Sequence, residues 1–260
     1  MDPLYTSGNC TPAFELRWSL SIFATAKLPP SEEWLGELKQ AVERDGVRIL
    51  EHRFQLPTHQ FLLSTKPLIA PPQIVKSVKG RLQHLLRHSH SDVFRRNFSL
   101  TSVGDARRQV VEAYVANQLG HHRMADHRVQ QRLARFQIEF PEVDLSQAQF
   151  SSHGRYLYNL HMVLVHNGRW HDGCEERLET TSNTIVTIAT KKGHRLSRAA
   201  LLSDHLHLTL GGKLDESPSA VALGYLNNLA HAHGMRPLFQ FSYFVGTFGE
   251  YDLGAIRQAL

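Results

Sequence analysis

Apolar and polar residues alternate at period two over residues 14–24 (Phe-Glu-Leu-Arg-Trp-Ser-Leu-Ser-Ile-Phe-Ala), which predicts a strand. Pro29-Pro30-Ser31 then opens a helix, with Ser31 as N-cap and Glu32-Glu33 in the first turn. Trp34, Leu35, Leu38 and Val42 form its apolar stripe, and Gly46 ends it. Residues 47–50 and 54–65 predict two further strands. Pro71-Pro72 starts a second helix, in which Ile74, Val78, Leu82 and Leu85 recur at helical spacing. Residues 97–102 predict a strand. Asp105 then caps a helix that carries Val110, Val111, Tyr114, Val115 and Gln118.

Residues 119–153 are polar and charged and read as a connector. From residue 154 the order restarts: a strand over 156–165, a helix over 175–192 closed by Gly193, and a strand over 201–210. A helix from Ser217-Pro218, a strand over 239–247 and a last helix over 252–260 follow. Residues match as well as elements. His59 and His205, Pro72 and Pro218, Val75 and Val221, Phe98 and Phe244, and Thr101 and Thr247 all lie 146 positions apart. The chain therefore reads as an internal duplication. One unit covers 14–118 and the other 154–260, each a β-α-β-β-α-β plan. The expected fold class is α+β, with antiparallel sheets carrying helices on one face in two ferredoxin-like units.

Composition narrows the class. The 260 residues are 42% hydrophobic, enough for real cores. A net charge of +5, with 17 histidines besides, favours anionic partners, nucleic acid first among them. Cys10 and Cys174 form no Cys-x-x-Cys pair, so neither a disulfide framework nor a zinc knuckle is expected. No apolar h-region leads the chain and no apolar run is long enough to span a bilayer, so a cytoplasmic, nucleoid-associated protein is expected.

Two places carry chemistry. In Asp204-His205-Leu206-His207-Leu208, alternation puts both imidazoles on one side of a strand, within reach of one metal ion. The other His-x-His spacings, His88-Ser89-His90 and His231-Ala232-His233, lack the alternating context. On the last helix of the first unit, Tyr114 and Gln118 share a face at i and i+4: a phenol as nucleophile, an amide oxygen as a further ligand. Taken singly, each has an ordinary structural explanation, a solvated strand face or a half-buried tyrosine.

Together these motifs resemble the single-tyrosine HUH transposases, including the REP-associated tyrosine transposases. The likeness lies in the His-hydrophobic-His strand, a proline-started helix, a Phe-rich strand into Thr-x-x-Gly, and a Tyr-x-x-x-Gln helix; Val78-Lys79-Gly80 adds the family's Lys-Gly. The resemblance implies a dimer in which the tyrosine helix of one subunit serves the metal site of the other. It also implies a divalent metal, Mg²⁺ or Mn²⁺, on His205, His207 and Gln118. Tyr114 would attack single-stranded DNA, with a hairpin nearby, to form a 5′-phosphotyrosine link. On the residues themselves, Asp204 either orients one histidine as an acceptor or simply sits at the start of the strand.

The two halves depart from that pattern in complementary ways. In the first, Phe61 is read at the second histidine position while Tyr114 and Gln118 remain; in the second the histidines are intact and the chain ends near the tyrosine position. One composite site in a fused, monomeric pseudo-dimer is the expectation. DNA contacts are expected from Lys76, Lys79, Arg81, Arg87, Arg95, Arg96, Arg107 and Arg108. The alternatives are a non-catalytic DNA- or RNA-binding protein that kept the fold, and a metal-dependent hydrolase of small phosphates.

Overall fold

The alternation over residues 14–24 runs unbroken, yet the chain changes sheets in the middle of it. In the computed structural model, β1 (Thr11–Glu15) and β2 (Arg17–Ala24) part at Leu16 and belong to different sheets. The second repeat does the same at Tyr158, between β8 (Gly154–Leu157) and β9 (Asn159–Val165). The structure describes residues 2–259 except Ser89, Ser91, Arg123, Met235 and Arg236. Leu260, the expected end of the last helix, and Ser89 of the His88–His90 spacing lie outside the described residues.

In the first repeat, β2 leads through α1 (Leu35–Arg44) to the hairpin of β3 (Val47–Gln55) and β4 (Thr58–Thr65). A helix broken into α2 (Pro71–Val75), a π turn (Lys76–Gly80) and α3 (Arg81–Leu86) leads to β5 (Phe94–Val103). Then come α4 (Arg108–Ala116), α5 (Gln118–His121), α6 (His127–Arg135) and two short strands, β6 (Ile138–Glu139) and β7 (Gln149–Phe150). After β8 and β9 the second repeat continues with α7 (Glu175–Lys192), β10 (Arg195–Leu201), β11 (His205–Gly211), α8 (Pro218–Ala232), β12 (Ser242–Phe248) and α9 (Leu253–Ala259). Among the described residues, no helix is long and apolar enough to cross a membrane.

The two sheets have the orders β3-β4-β2-β5-β8-β7 and β1-β12-β9-β11-β10-β6. The four strands of each βαββαβ unit stand in ferredoxin-like order in both. The fold is α+β, as the sequence predicts. The units interlock at their edges: β1 of the first repeat pairs in parallel with β12, and β8 of the second pairs in parallel with β5. Buried side chains seal the crossing. Trp18 packs on Tyr158 with ring centroids 5.5 Å apart. Thr247 Oγ1 donates to the Val103 carbonyl at 2.7 Å and accepts from the Arg17 amide at 2.8 Å.

Each sheet has a helix-covered core face. On the other face the repeats exchange their terminal helices. Helix α4 of the first repeat lies on β10 and β11. Helix α9 of the second seats Ile256 and Leu253 on Leu62, Leu50 and Val103, and Arg257 pairs with Glu51 at 2.6 Å.

Strand pairing corrects the register of the repeat. Ser21 pairs with Gln60, and its counterpart Val163 pairs with His207. Gln60, not Phe61, is therefore the equivalent of His207, and Thr58 is the equivalent of His205. The offset between repeats is not constant. It is 142 from Ser19 to His161, 147 from Gln60 to His207 and 145 from Thr101 to Gly246, because helices and connections differ in length. A uniform 146 hides a slip of one residue, and in a strand one residue reverses every side chain. His59 and Phe61 lie on the core face instead, with ring centroids 5.6 and 5.4 Å from Phe54.

Candidate active site at the junction of the repeats

Strand β11 sends Leu206, Leu208 and Leu210 into the core and His205, His207 and Thr209 to the other face. That second face is not solvated: α4 and α5 cover it, and His205 and His207 are both buried. The covering helix is anchored at its start by Arg108, which pairs with Glu250 and, at 2.9 Å, with Glu112. Val115 faces inward, whereas Val110 and Tyr114 stand 58% and 48% exposed on the side open to solvent.

Tyr114 lies over the imidazoles of the other repeat. Its ring stands edge-on to His207 and His161, with centroids 5.8 and 6.1 Å away. The helix does not continue to Gln118 as the i, i+4 spacing predicts. It ends at Ala116, Asn117 departs from helical geometry, and Gln118 opens α5. The Asn117 side chain bonds the Ala113 carbonyl at 2.8 Å and so competes with the helix ladder. Gln118 still folds back: its amide nitrogen donates to the Tyr114 carbonyl at 3.3 Å. Its Oε1 is buried with no hydrogen-bond partner among the described residues, which a native interior rarely tolerates.

Both histidines are held through Nδ1. Asp204 Oδ1 sits 2.6 Å from His205 Nδ1, and Arg169 steadies the same carboxylate at 3.3 Å. Burial pushes the Asp204 carboxyl up, but the bond from His205 and nearby cations outweigh it and hold the group below the usual carboxylate range. His207 Nδ1 lies 3.1 Å from His161 Nε2. Burial, reinforced by the neighbouring imidazoles, pushes His207 down to about 3; burial alone pushes His161 down to about 4. Both rings are therefore neutral at neutral pH, with lone pairs available.

His161 and His122 are the site residues that the sequence reading passed over. A single histidine in an apolar strand (Asn-Leu-His-Met-Val) looks like a core residue. Only the register, with His161 opposite Thr209, puts it on the face of His207. His122, in the polar stretch read as connector, brings its ring 5.1 Å from His205.

Among the described residues, no three His, Cys, Asp or Glu side chains form a metal-holding group. The donor set on offer is mixed: Nε2 of His205, Nε2 of His207 and the amide oxygen of Gln118, none of them bonded to a described residue. Two imidazoles and an amide suit a divalent ion that accepts nitrogen and oxygen together.

Much of the expected basic set is engaged inside the protein. Arg81 clamps Asp45 through two bonds of 2.6 and 2.7 Å, and holds that carboxyl down at about 2. Arg107 pairs with Asp252 at 3.0 Å, and the half-buried Arg108 is held between Glu112 and Glu250. Lys79 donates to the Arg95 and Arg96 carbonyls, at 2.6 Å each, over the Phe98 ring. Arg87 contacts His84 and His88. Lys76, Arg95 and Arg96 are exposed and make no ion pair among the described residues.

No family model and no curated protein matches the chain. Solved structures do. One is a REP-associated tyrosine transposase bound to a REP hairpin, at 12% identity and TM-score 0.33, with 39% of this chain and 61% of that one covered. The present chain thus spans under two thirds of that neighbour. Another is a candidate transposase from Deinococcus radiodurans, at 21% identity and TM-score 0.33, covering 44% of this chain and 95% of that one.

Proposed function

We propose that this protein cleaves and rejoins single-stranded DNA at one composite site, with Tyr114 as nucleophile. The observation that carries the reading is the pairing across repeats: a half-exposed tyrosine from one repeat lies over the paired imidazoles of the other. Tyr114 Oη attacks the phosphorus of a phosphodiester. The bond from phosphorus to the 3′ oxygen breaks, that oxygen leaves as a 3′-hydroxyl after taking up a proton, and a 5′-phosphotyrosine link remains. Attack by a 3′-hydroxyl on this link reverses the chemistry and returns the phenol. The ester bond energy is kept, so rejoining needs no nucleotide cofactor.

A protonated phenol is a weak nucleophile, so the phosphate itself has to be activated. His205, His207 and Gln118 would hold a divalent ion, Mn²⁺ or Mg²⁺, which supplies Lewis-acid polarisation of the phosphate. Asp204 orients His205, and exposed Lys76, Arg95 and Arg96 give affinity for the DNA backbone. The DNA is expected to carry a hairpin, as the family resemblance implies.

Tyr114→Phe tests the reading. It should abolish cleavage and detergent-resistant protein–DNA adducts while leaving hairpin binding within about twofold. Cleavage that survives this change sinks the mechanism. The mixed donor set, with no metal-holding group of three His, Cys, Asp or Glu among the described residues, favours a second reading, a DNA-binding protein without catalysis. That reading predicts no difference in Mn²⁺ binding between the wild type and His205→Ala.

A further inference from the structure

His161 and His207 sit diagonally across β9 and β11, joined by the 3.1 Å contact between Nε2 of the first and Nδ1 of the second. A neutral imidazole carries one N–H and one lone pair. If His207 offers its Nε2 lone pair to a ligand, Nδ1 must carry the hydrogen. His207 Nδ1–H then donates to His161 Nε2, and His161 carries its own hydrogen on Nδ1. One contact thus fixes both tautomers.

The surroundings are shaped for His161. Gly246 is its partner on β12, and a Cβ there would meet the Phe244 ring at 3.0 Å. The missing side chain lets that ring lie against His161, with centroids 5.8 Å apart. The first repeat supplies an internal comparison. The equivalents of His161 and His207 are Ser19 and Gln60, and Gln60 Nε2 donates to Ser19 Oγ at 3.0 Å along the same diagonal. Both repeats keep the bond. Where the ring at 207 gives way to an amide, the ring at 161 gives way to a hydroxyl.

We propose that His161 is the positioning residue of the histidine pair: it accepts from His207 Nδ1 and so turns His207 into an Nε2 ligand, as the Asp204 carboxylate does for His205. The proposal rests on reading His205 and His207 as metal ligands. It makes the two ligands unequal. His205 is backed by an anion, and His207 is backed by a neutral ring.

Mn²⁺ binding to the full chain, followed by calorimetric titration, tests the assignment. His161→Phe keeps an aromatic ring and removes the acceptor. It should weaken Mn²⁺ binding by about 10- to 100-fold, the usual range for losing such a partner, with the melting temperature held. His161→Gln puts an amide oxygen near the place of Nε2 and should stay within about fivefold of the wild type. Should His161→Phe fail to fold, His161→Ala against His161→Gln makes the same comparison. If His205→Ala loses Mn²⁺ and His161→Phe does not, the assignment of His161 is overturned while the metal pair stands. If His161→Gln loses as much as His161→Phe, the hydrogen bond is not the cause and the assignment is again overturned. If His205→Ala and His207→Ala both bind Mn²⁺ like the wild type, the metal pair falls and His161 with it.

Discussion

At the scale of residues, position on a strand decides between chemistry and packing. His59 and Phe61 look like a damaged copy of His205 and His207 when read in line, but their side chains point the other way. Phe61 is fully buried against Phe54, so Phe61→Ala should cost about 3–5 kcal/mol of stability, the usual range for emptying such a site. Thermal melting should register that loss, and Mn²⁺ binding below the transition should be unchanged. His207→Ala should do the reverse, leaving the melt near wild type and removing Mn²⁺ binding. The strand histidines and Tyr114 were legible because period two and helical spacing carry their direction. His161 was not, since its direction is set by partners some 46 and 85 positions away, at His207 and Gly246.

At the scale of elements, the site depends on where helix α4 leaves its own repeat. Strands β5 and β12 end side by side at two symmetric bridges, Gly104 with Asp252 and Arg107 with Gly249. A Cβ on Gly249 would lie 2.1 Å from the Ser102 carbonyl, and one on Gly104 would lie 2.6 Å from the Thr247 carbonyl. Gly249→Ala should therefore unseat the start of α4, lowering both the melting temperature and adduct formation. Gly120→Ala is the control beside the site. No described neighbour lies within 4 Å of a Cβ placed there, so it should be neutral or stabilising by up to about 1 kcal/mol. Among the basic residues, Arg95→Ala with Arg96→Ala should weaken DNA binding and reduce the salt slope by about 2. Arg81→Ala should instead show itself in stability, through the Asp45 it releases. The strands and helices were legible as patterns. The breaks at Leu16 and Tyr158 were not, because an apolar residue recurs at every second position through both crossings, at Phe14, Leu16 and Trp18 and at Tyr156, Tyr158 and Leu160.

At the scale of the whole molecule, strand exchange and helix exchange make each repeat incomplete without the other. If the site lies within one chain, mixing Tyr114→Phe protein with His207→Ala protein should restore no cleavage. Restored activity would mean that helices swap between chains. The duplication was legible in the order of elements, while the interlock depends on pairings across more than 200 positions, such as Thr11 with Ser242. The exchanged helices also differ in content. Helix α4 brings Tyr114 to paired histidines, whereas α9 brings Leu253 and Ile256 to a face where Leu62 stands in line with Thr58 and Gln60. A symmetric dimer with sites across its interface falls silent on dilution and can grip two severed strands at once. On the proposed reading this chain meets its own other half as it folds, so cleavage per molecule should be indifferent to dilution. With one composite site, the proposed enzyme would hold one broken strand at a time, and any exchange between two ends would have to run in sequence.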